Sequence, residues 1–277
     1  MYGDRSSIMH FIETSRGLKW HYDVKGEGPA LLFLHGWGVN MRIWCQQVKH
    51  FAASFKVITV DLPGHGKSQW QKLSLTEIAG EILEILQYLR IKKLGVIASS
   101  LGGLVALKIF ELDPGRIRFF VFVGSQPKFA QAGDHPWGLE LERISHLRRQ
   151  LEIHYPSIVH IFFRSLFTRE ERESRRFHWV QIFRKADIVP EKEALLEFLK
   201  MIEKEDLRDV FVRIEQPVQF INGTEDNICR KEVFTELQRT MPDARLDWFD
   251  RCGHFSFLSR PNEFNEVLEK FILCCLN

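Results

Sequence analysis

Hydrophobic residues along this 277-residue chain fall into short unbroken runs separated by amphipathic stretches. Ala30–Leu34 is wholly apolar and lies between Gly28-Pro29 and His35-Gly36. The same texture recurs at 57–60, 94–98, 119–123 and 217–221, with a further strand at 244–249. Runs of this length without alternation suit strands covered on both faces of a parallel sheet. Segments with helical spacing lie between them, at 43–51, 75–89 and Leu101–Leu112. Ser74, followed three residues later by Glu77, forms a capping-box start for the second. Two β-rich runs, 8–14 and 18–24, open the chain, with Arg16-Gly17 as the turn of a hairpin. Alternating strands and helices predict a mostly parallel sheet with helices on both faces, an α/β fold.

The alternation stops between 127 and 208. That stretch reads as amphipathic helix rich in Arg, Phe and Leu, with no buried strand. The alternation resumes at 217 and ends in a helix, Pro261–Leu276. The expected organisation is one α/β core, 1–126 and 209–277, carrying a helical insertion at 127–208.

Composition leaves this picture intact. A hydrophobic content of 45% and a charged content of 27% are ordinary for a globular protein. Five cysteines without a CxxC pair fit a reducing compartment and no zinc site. The expectations are a cytoplasmic, monomeric protein without signal peptide, membrane span, metal or organic cofactor. The terminal Cys274-Cys275-Leu276-Asn277 is read as a helix tail in preference to a prenylation box. Charge does sharpen the picture. The formal net charge is +2, but residues 142–185 hold ten Lys/Arg against five Glu.

The chemistry is carried by loops that follow predicted strands. Residues 94–98 run into Ala98-Ser99-Ser100-Leu101-Gly102-Gly103 and then a helix. This matches G-x-S-x-G with Ala first, a sharp turn that lifts a serine hydroxyl above the sheet. Ser100 is the nucleophile candidate; the rival Ser99 would place Leu101 where a small residue is needed. A plain helix cap is the bland alternative. A serine needs a base, and His254 in Cys252-Gly253-His254-Phe255 follows a strand late in the chain. Asp226, after the strand at 217–221, is placed to orient it, with Glu225 as near competitor. His35-Gly36-Trp37-Gly38 reads as an oxyanion loop or an ordinary Gly-rich turn. Asp61-Leu62-Pro63-Gly64-His65-Gly66-Lys67-Ser68 reads as a structural turn, since Walker spacing is absent.

Together HGWG (35–38), DLPGHGKS (61–68), SSLGG (99–103), NGTEDN (222–227) and CGHFSFLS (252–259) resemble the α/β-hydrolase superfamily over nearly the whole chain. More closely, the chain resembles the family of pimeloyl-[acyl-carrier protein] methyl ester esterases. Gly124-Ser125-Gln126-Pro127, 134–137, 206–208 and 214–217 share in that likeness. The resemblance implies a Ser100–Asp226–His254 triad and an oxyanion hole from the N–H groups of Trp37 and Leu101. It also implies an acyl chain lying under the helical cap, against Trp37, Ser100, Leu101, Phe162, Phe163 and Leu166. The implied partner is acyl carrier protein, bound transiently through charge, and the implied pathway is biotin synthesis. Two departures stand out. The usual GWSLGG elbow is replaced by 98–103 as written above, and two positions that are basic in the family hold Ser157 and Ile161. Arg164, Arg169, Arg172, Arg175 and Arg176 are the candidates for carrier docking. A solvated helix face with internal ion pairs is their alternative reading. Nucleic acid and membrane partners are not expected. A general carboxylesterase, a lipase-like or C–C bond hydrolase, and a non-catalytic ligand-binding member are the competing functional readings.

Overall fold

The computed structural model describes residues 10–276. Among the described residues eight strands form one sheet: β1 His10–Glu13, β2 Lys19–Lys25, β3 Ala30–Leu34, β4 Lys56–Val60, β5 Leu94–Ser99, β6 Ile117–Val123, β7 Val218–Gly223 and β8 Arg245–Phe249. Their order is β1-β2-β4-β3-β5-β6-β7-β8. Only β1–β2 and β2–β4 pair antiparallel, and every pairing from β4 through β8 is parallel. The expected α/β fold is therefore present. Of the predicted first strand, Ile8 and Met9 lie outside the described residues.

The unbroken apolar runs sit where their pattern requires. β3, β5 and β6 occupy the middle of the order, and Leu31, Leu32, Phe33, Leu34, Val96, Ile97 and Phe120 are fully buried. The hairpin turns at Gly17, whose φ of 76° favours glycine and whose N–H bonds Thr14 O at 2.8 Å. Helix Leu75–Tyr88 starts on the expected capping box, with Glu77 N–H donating to Ser74 Oγ at 3.2 Å and Ser74 N–H to Glu77 Oε2 at 2.7 Å. The predicted helix at 43–51 divides into a 3₁₀ turn, Met41–Trp44, and an α-helix, Cys45–Phe51. Asn40 starts the first piece by accepting from Arg42 N–H at 3.0 Å.

Asp61-to-Ser68 is a hydrogen-bonded turn against the sheet. Asp61 accepts from Met41 N–H at 2.8 Å and Lys67 N–H at 2.9 Å, and meets His21 Nδ1 at 2.7 Å. Burial pushes its pKa up, but these bonds and His35 outweigh burial and leave it lowered.

Between β6 and β7 the described residues contain helices Leu141–His154, Ser157–Ser165, Arg169–Glu173, Arg175–Lys185, Lys192–Lys204 and Arg208–Phe211. Their apolar faces, including Ile144, Leu151, Val159, Phe163, Leu195 and Phe198, are buried in the same hydrophobic cluster as the sheet. Trp37 Nε1–H donates to Leu195 O at 2.9 Å, which fixes helix Lys192–Lys204 to the loop after β3.

Candidate active site

Ser100 occupies the junction of β5 and helix Leu101–Leu112 with φ 53° and ψ −124°. Such a conformation costs a non-glycine residue about 1–3 kcal/mol. Its neighbours hold it there: Ser100 N–H bonds Val123 O at 3.0 Å, and Ser100 O accepts from Gly103 N–H at 2.9 Å and Ser125 Oγ at 2.6 Å. Gly102 is required by close approach, because a Cβ there would lie 2.8 Å from both Leu34 O and His35 O. The turn places the serine at a helix N-terminus, where main-chain N–H groups lack intrahelical acceptors. Leu101 N–H is the first of these.

His254 is buried, and its Nδ1–H donates to Asp226 Oδ2 at 2.8 Å. The other carboxylate oxygen, Oδ1, accepts from Ile228 N–H at 2.7 Å and Cys229 N–H at 3.1 Å. The carboxylate is thus locked by main chain on one side and locks the imidazole on the other, leaving Nε2 as the ring's free base. Glu225 takes no part in this pair; its N–H bonds Cys252 O at 2.9 Å. The His254 main chain is itself tied to the helical segment, since its N–H donates to Leu166 O at 2.8 Å.

Asp226, Cys229 and His254 bring their side-chain heteroatoms within 4.8 Å of one another, a grouping that could also hold a metal. The donors argue otherwise. Cys229 Sγ donates to Gly124 O at 3.1 Å, and burial, reinforced by Asp226, raises the thiol pKa well above its ordinary value. Both Asp226 oxygens and His254 Nδ1 are likewise taken up in hydrogen bonds, so the three groups satisfy one another and the main chain.

Ser100 and His254 line one cavity together with Gly36, Trp37, Phe162 and Leu166. The remaining wall is apolar except for Arg143: it includes Phe129, Leu139, Ile144, Leu147, Leu199 and Ile202. Trp37 and Phe162 meet edge to face with ring centroids 4.9 Å apart. Phe163 turns the other way, against Phe167 and Phe255, and lines a separate cleft. Consecutive helical side chains point about 100° apart, so two adjacent phenylalanines do not share a wall.

The five arginines do not form one free surface. Arg172 Nη1 donates to Phe167 O at 2.9 Å, and Arg176 Nε donates to Leu258 O at 2.7 Å while its guanidinium stacks on Trp179 at 4.2 Å. Arg169 pairs with Glu173 at 3.1 Å, a solvated i,i+4 bridge. Arg164 lies 5.8 Å over Phe177, and Arg175 is exposed.

Three contributors to the site carry no strong sequence signal. Gly124, with φ 52°, leaves the space that His254 and Asp226 fill. Glu171 accepts from Gly253 N–H at 3.0 Å and Cys252 Sγ at 3.0 Å, bracing the loop that carries the histidine. Arg143 lines the cavity and donates to Asn227 O at 2.6 Å. Of the three, only Gly124 belongs to a stretch that shares in the family resemblance.

Sheet order, elbow and imidazole–carboxylate pair define an α/β hydrolase. A model of the alpha/beta hydrolase fold family matches residues 29–261, and the chain belongs to that family. Among curated proteins it is 32% identical over 245 residues to the pimeloyl-[acyl-carrier protein] methyl ester esterase of Nitrosomonas europaea, covering 88% of this chain and 96% of that one. It is 29% identical over 255 residues to the enzyme of the same name from Vibrio vulnificus, covering 91% and 97%. Among solved structures, an esterase from Exiguobacterium antarcticum superposes with a TM-score of 0.87 at 24% identity, covering 95% of this chain and 98% of its own. The enol-lactonase of Burkholderia xenovorans gives 0.84 at 20% identity, covering 95% and 100%, a likeness of fold. No described helix is long and apolar enough to cross a membrane.

Proposed function

We propose that the chain is a serine carboxylesterase that hydrolyses the methyl ester of a pimeloyl group carried on acyl carrier protein, releasing methanol and the free acid. The observation that carries the reaction type is Ser100 on a strained strand-to-helix turn, sharing one apolar cavity with a His254 already oriented by Asp226. The relatives' shared name over about nine-tenths of the chain supports the substrate.

In this mechanism His254 Nε2 takes the Ser100 proton as Oγ attacks the ester carbonyl. The N–H groups of Trp37 and Leu101 hold the oxyanion, each contributing about 3 kcal/mol to lowering the barrier. The tetrahedral intermediate collapses, the C–O bond to the methoxy group breaks, and His254 gives methanol the proton it took. Water, deprotonated by the same nitrogen, then attacks the acyl-enzyme carbonyl, and the bond from the acyl carbon to Ser100 Oγ breaks as His254 returns the proton to Oγ. The protein's own groups account for every proton in this cycle.

The cavity's apolar wall suits a methylene chain, and residues 127–208 supply most of it. We assign that segment the role of a cap over the core formed by 1–126 and 209–277. Carrier protein is assigned as a transient partner, with exposed cap arginines drawing in its acidic surface; the enzyme acts as a monomer in the cytoplasm. The test is direct: incubate the purified protein with pimeloyl-carrier methyl ester and with a small p-nitrophenyl ester, and follow the free acids by mass spectrometry. A kcat/KM at least tenfold higher for the carrier-bound ester supports the assignment. Turnover of the small ester alone would replace it with a general carboxylesterase.

A further inference from the structure

A second concavity, a cleft of about 520 Å³, lies between helices Ser157–Ser165 and Arg175–Lys185. It shares no lining residue with the catalytic cavity. Arg184 lines it, and the side chain is buried to 7% exposure. Its Nη2 donates to Gly38 O at 3.2 Å and its guanidinium lies 3.9 Å over the Phe163 ring. The other two donor nitrogens, Nε and Nη1, are themselves buried and have no hydrogen-bond partner among the described residues.

A buried N–H left unpaired costs about 1–3 kcal/mol, more when charged. Asp187 divides its charge between Arg184 and Arg42, and hydrogen-bonds Arg42, whose Nη1 holds Oδ1 at 2.6 Å. Among the described residues no Asp or Glu lines the cleft, whereas Arg164 and Lys185 add two exposed cations at its edge. Burial lowers the Arg184 pKa to about 10, so the guanidinium still carries its charge at neutral pH. A buried, incompletely paired guanidinium therefore backs the cleft wall, and Phe163, Phe177 and Ile182 give it an apolar flank.

We propose that this cleft binds an organic phosphate, with the phosphate oxygens on Arg184 and the apolar portion along Phe163, Phe177 and Ile182. Three cations around one opening match a dianion better than a monocarboxylate, and a guanidinium is well suited to phosphate oxygens. This assignment is independent of the esterase reaction, because it uses no residue of the catalytic cavity.

The experiment is calorimetric titration of the full chain with hexyl phosphate, inorganic phosphate and hexanol. Hexyl phosphate is expected to bind saturably, inorganic phosphate more weakly, and hexanol not at all. Arg184→Met removes the buried donors and keeps similar apolar volume, a change that folded proteins often tolerate; it should weaken hexyl phosphate binding by about tenfold or more. The double variant Arg164→Ala/Lys185→Ala, confined to exposed side chains, should weaken it several-fold and decides the matter if Arg184→Met does not fold. Absence of hexyl phosphate binding, or equal affinity in the wild type and the variants, would overturn the proposal.

Discussion

Gly124 and His254 are in such close apposition that a methyl group on the glycine would sit 2.8 Å from the imidazole Nδ1 and 3.2 Å from Asp226 Oδ2. The glycine's φ of 52° adds backbone strain to any side chain there. Gly124→Ala should displace the ring and lower kcat by about 100-fold, since a shift near 1 Å at a reacting group has that effect. Steady-state kinetics beside a circular dichroism melt would check it, and unchanged kcat would show that the ring has room to spare.

Asp226 acts through orientation. Asp226→Asn preserves an oxygen for the Ile228 and Cys229 N–H groups but offers an amide where Nδ1–H now donates. The ring then favours the wrong tautomer, and kcat should fall by roughly 10⁴-fold with little change in the melting temperature. A loss below tenfold would remove Asp226 from the mechanism.

The exposed arginines separate from the tethered ones. Arg169→Glu with Arg175→Glu should raise KM for a carrier-bound ester several-fold and spare a small ester. Arg172→Ala and Arg176→Ala should each cost about 1 kcal/mol of stability, because both donate to main-chain carbonyls of neighbouring segments. Equal KM effects on the two esters would argue against a docking role.

Much of this was legible beforehand. Ala30–Leu34 matches its strand at both ends, Ser74 and Glu77 cap a helix as their spacing required, and Ser100, Asp226 and His254 each follow a strand. Local rules suffice at those places. They do not suffice where the helical segment meets the core. Nothing local distinguishes Phe162, in the cavity, from Phe163, behind it; the rotation of one helix decides. Likewise Arg172 and Arg176 read as surface charge until folding brings Phe167 O and Leu258 O beside them.

Acid should destabilise the protein through two buried histidines. Burial lowers the pKa of both His35 and His65, the latter from 6.5 to about 3, with His35 adding to the effect on His65. Between these values the unfolded chain binds more protons than the native one, so stability rises with pH there and is lost as pH falls from 6.5 toward 3. Urea midpoints measured from pH 7 to 4 should decline, and His65→Asn should flatten the dependence by about one proton. A flat profile in the wild type would contradict this.

The reaction turns on which oxygen attacks. Intact-mass and peptide mapping after treatment with a fluorophosphonate reads this directly. The wild type should gain one adduct, on Ser100, with simultaneous loss of esterase turnover, and Ser100→Ala should gain none and turn over no ester. An adduct on Ser99 or elsewhere, or ester turnover retained by Ser100→Ala, would contradict it.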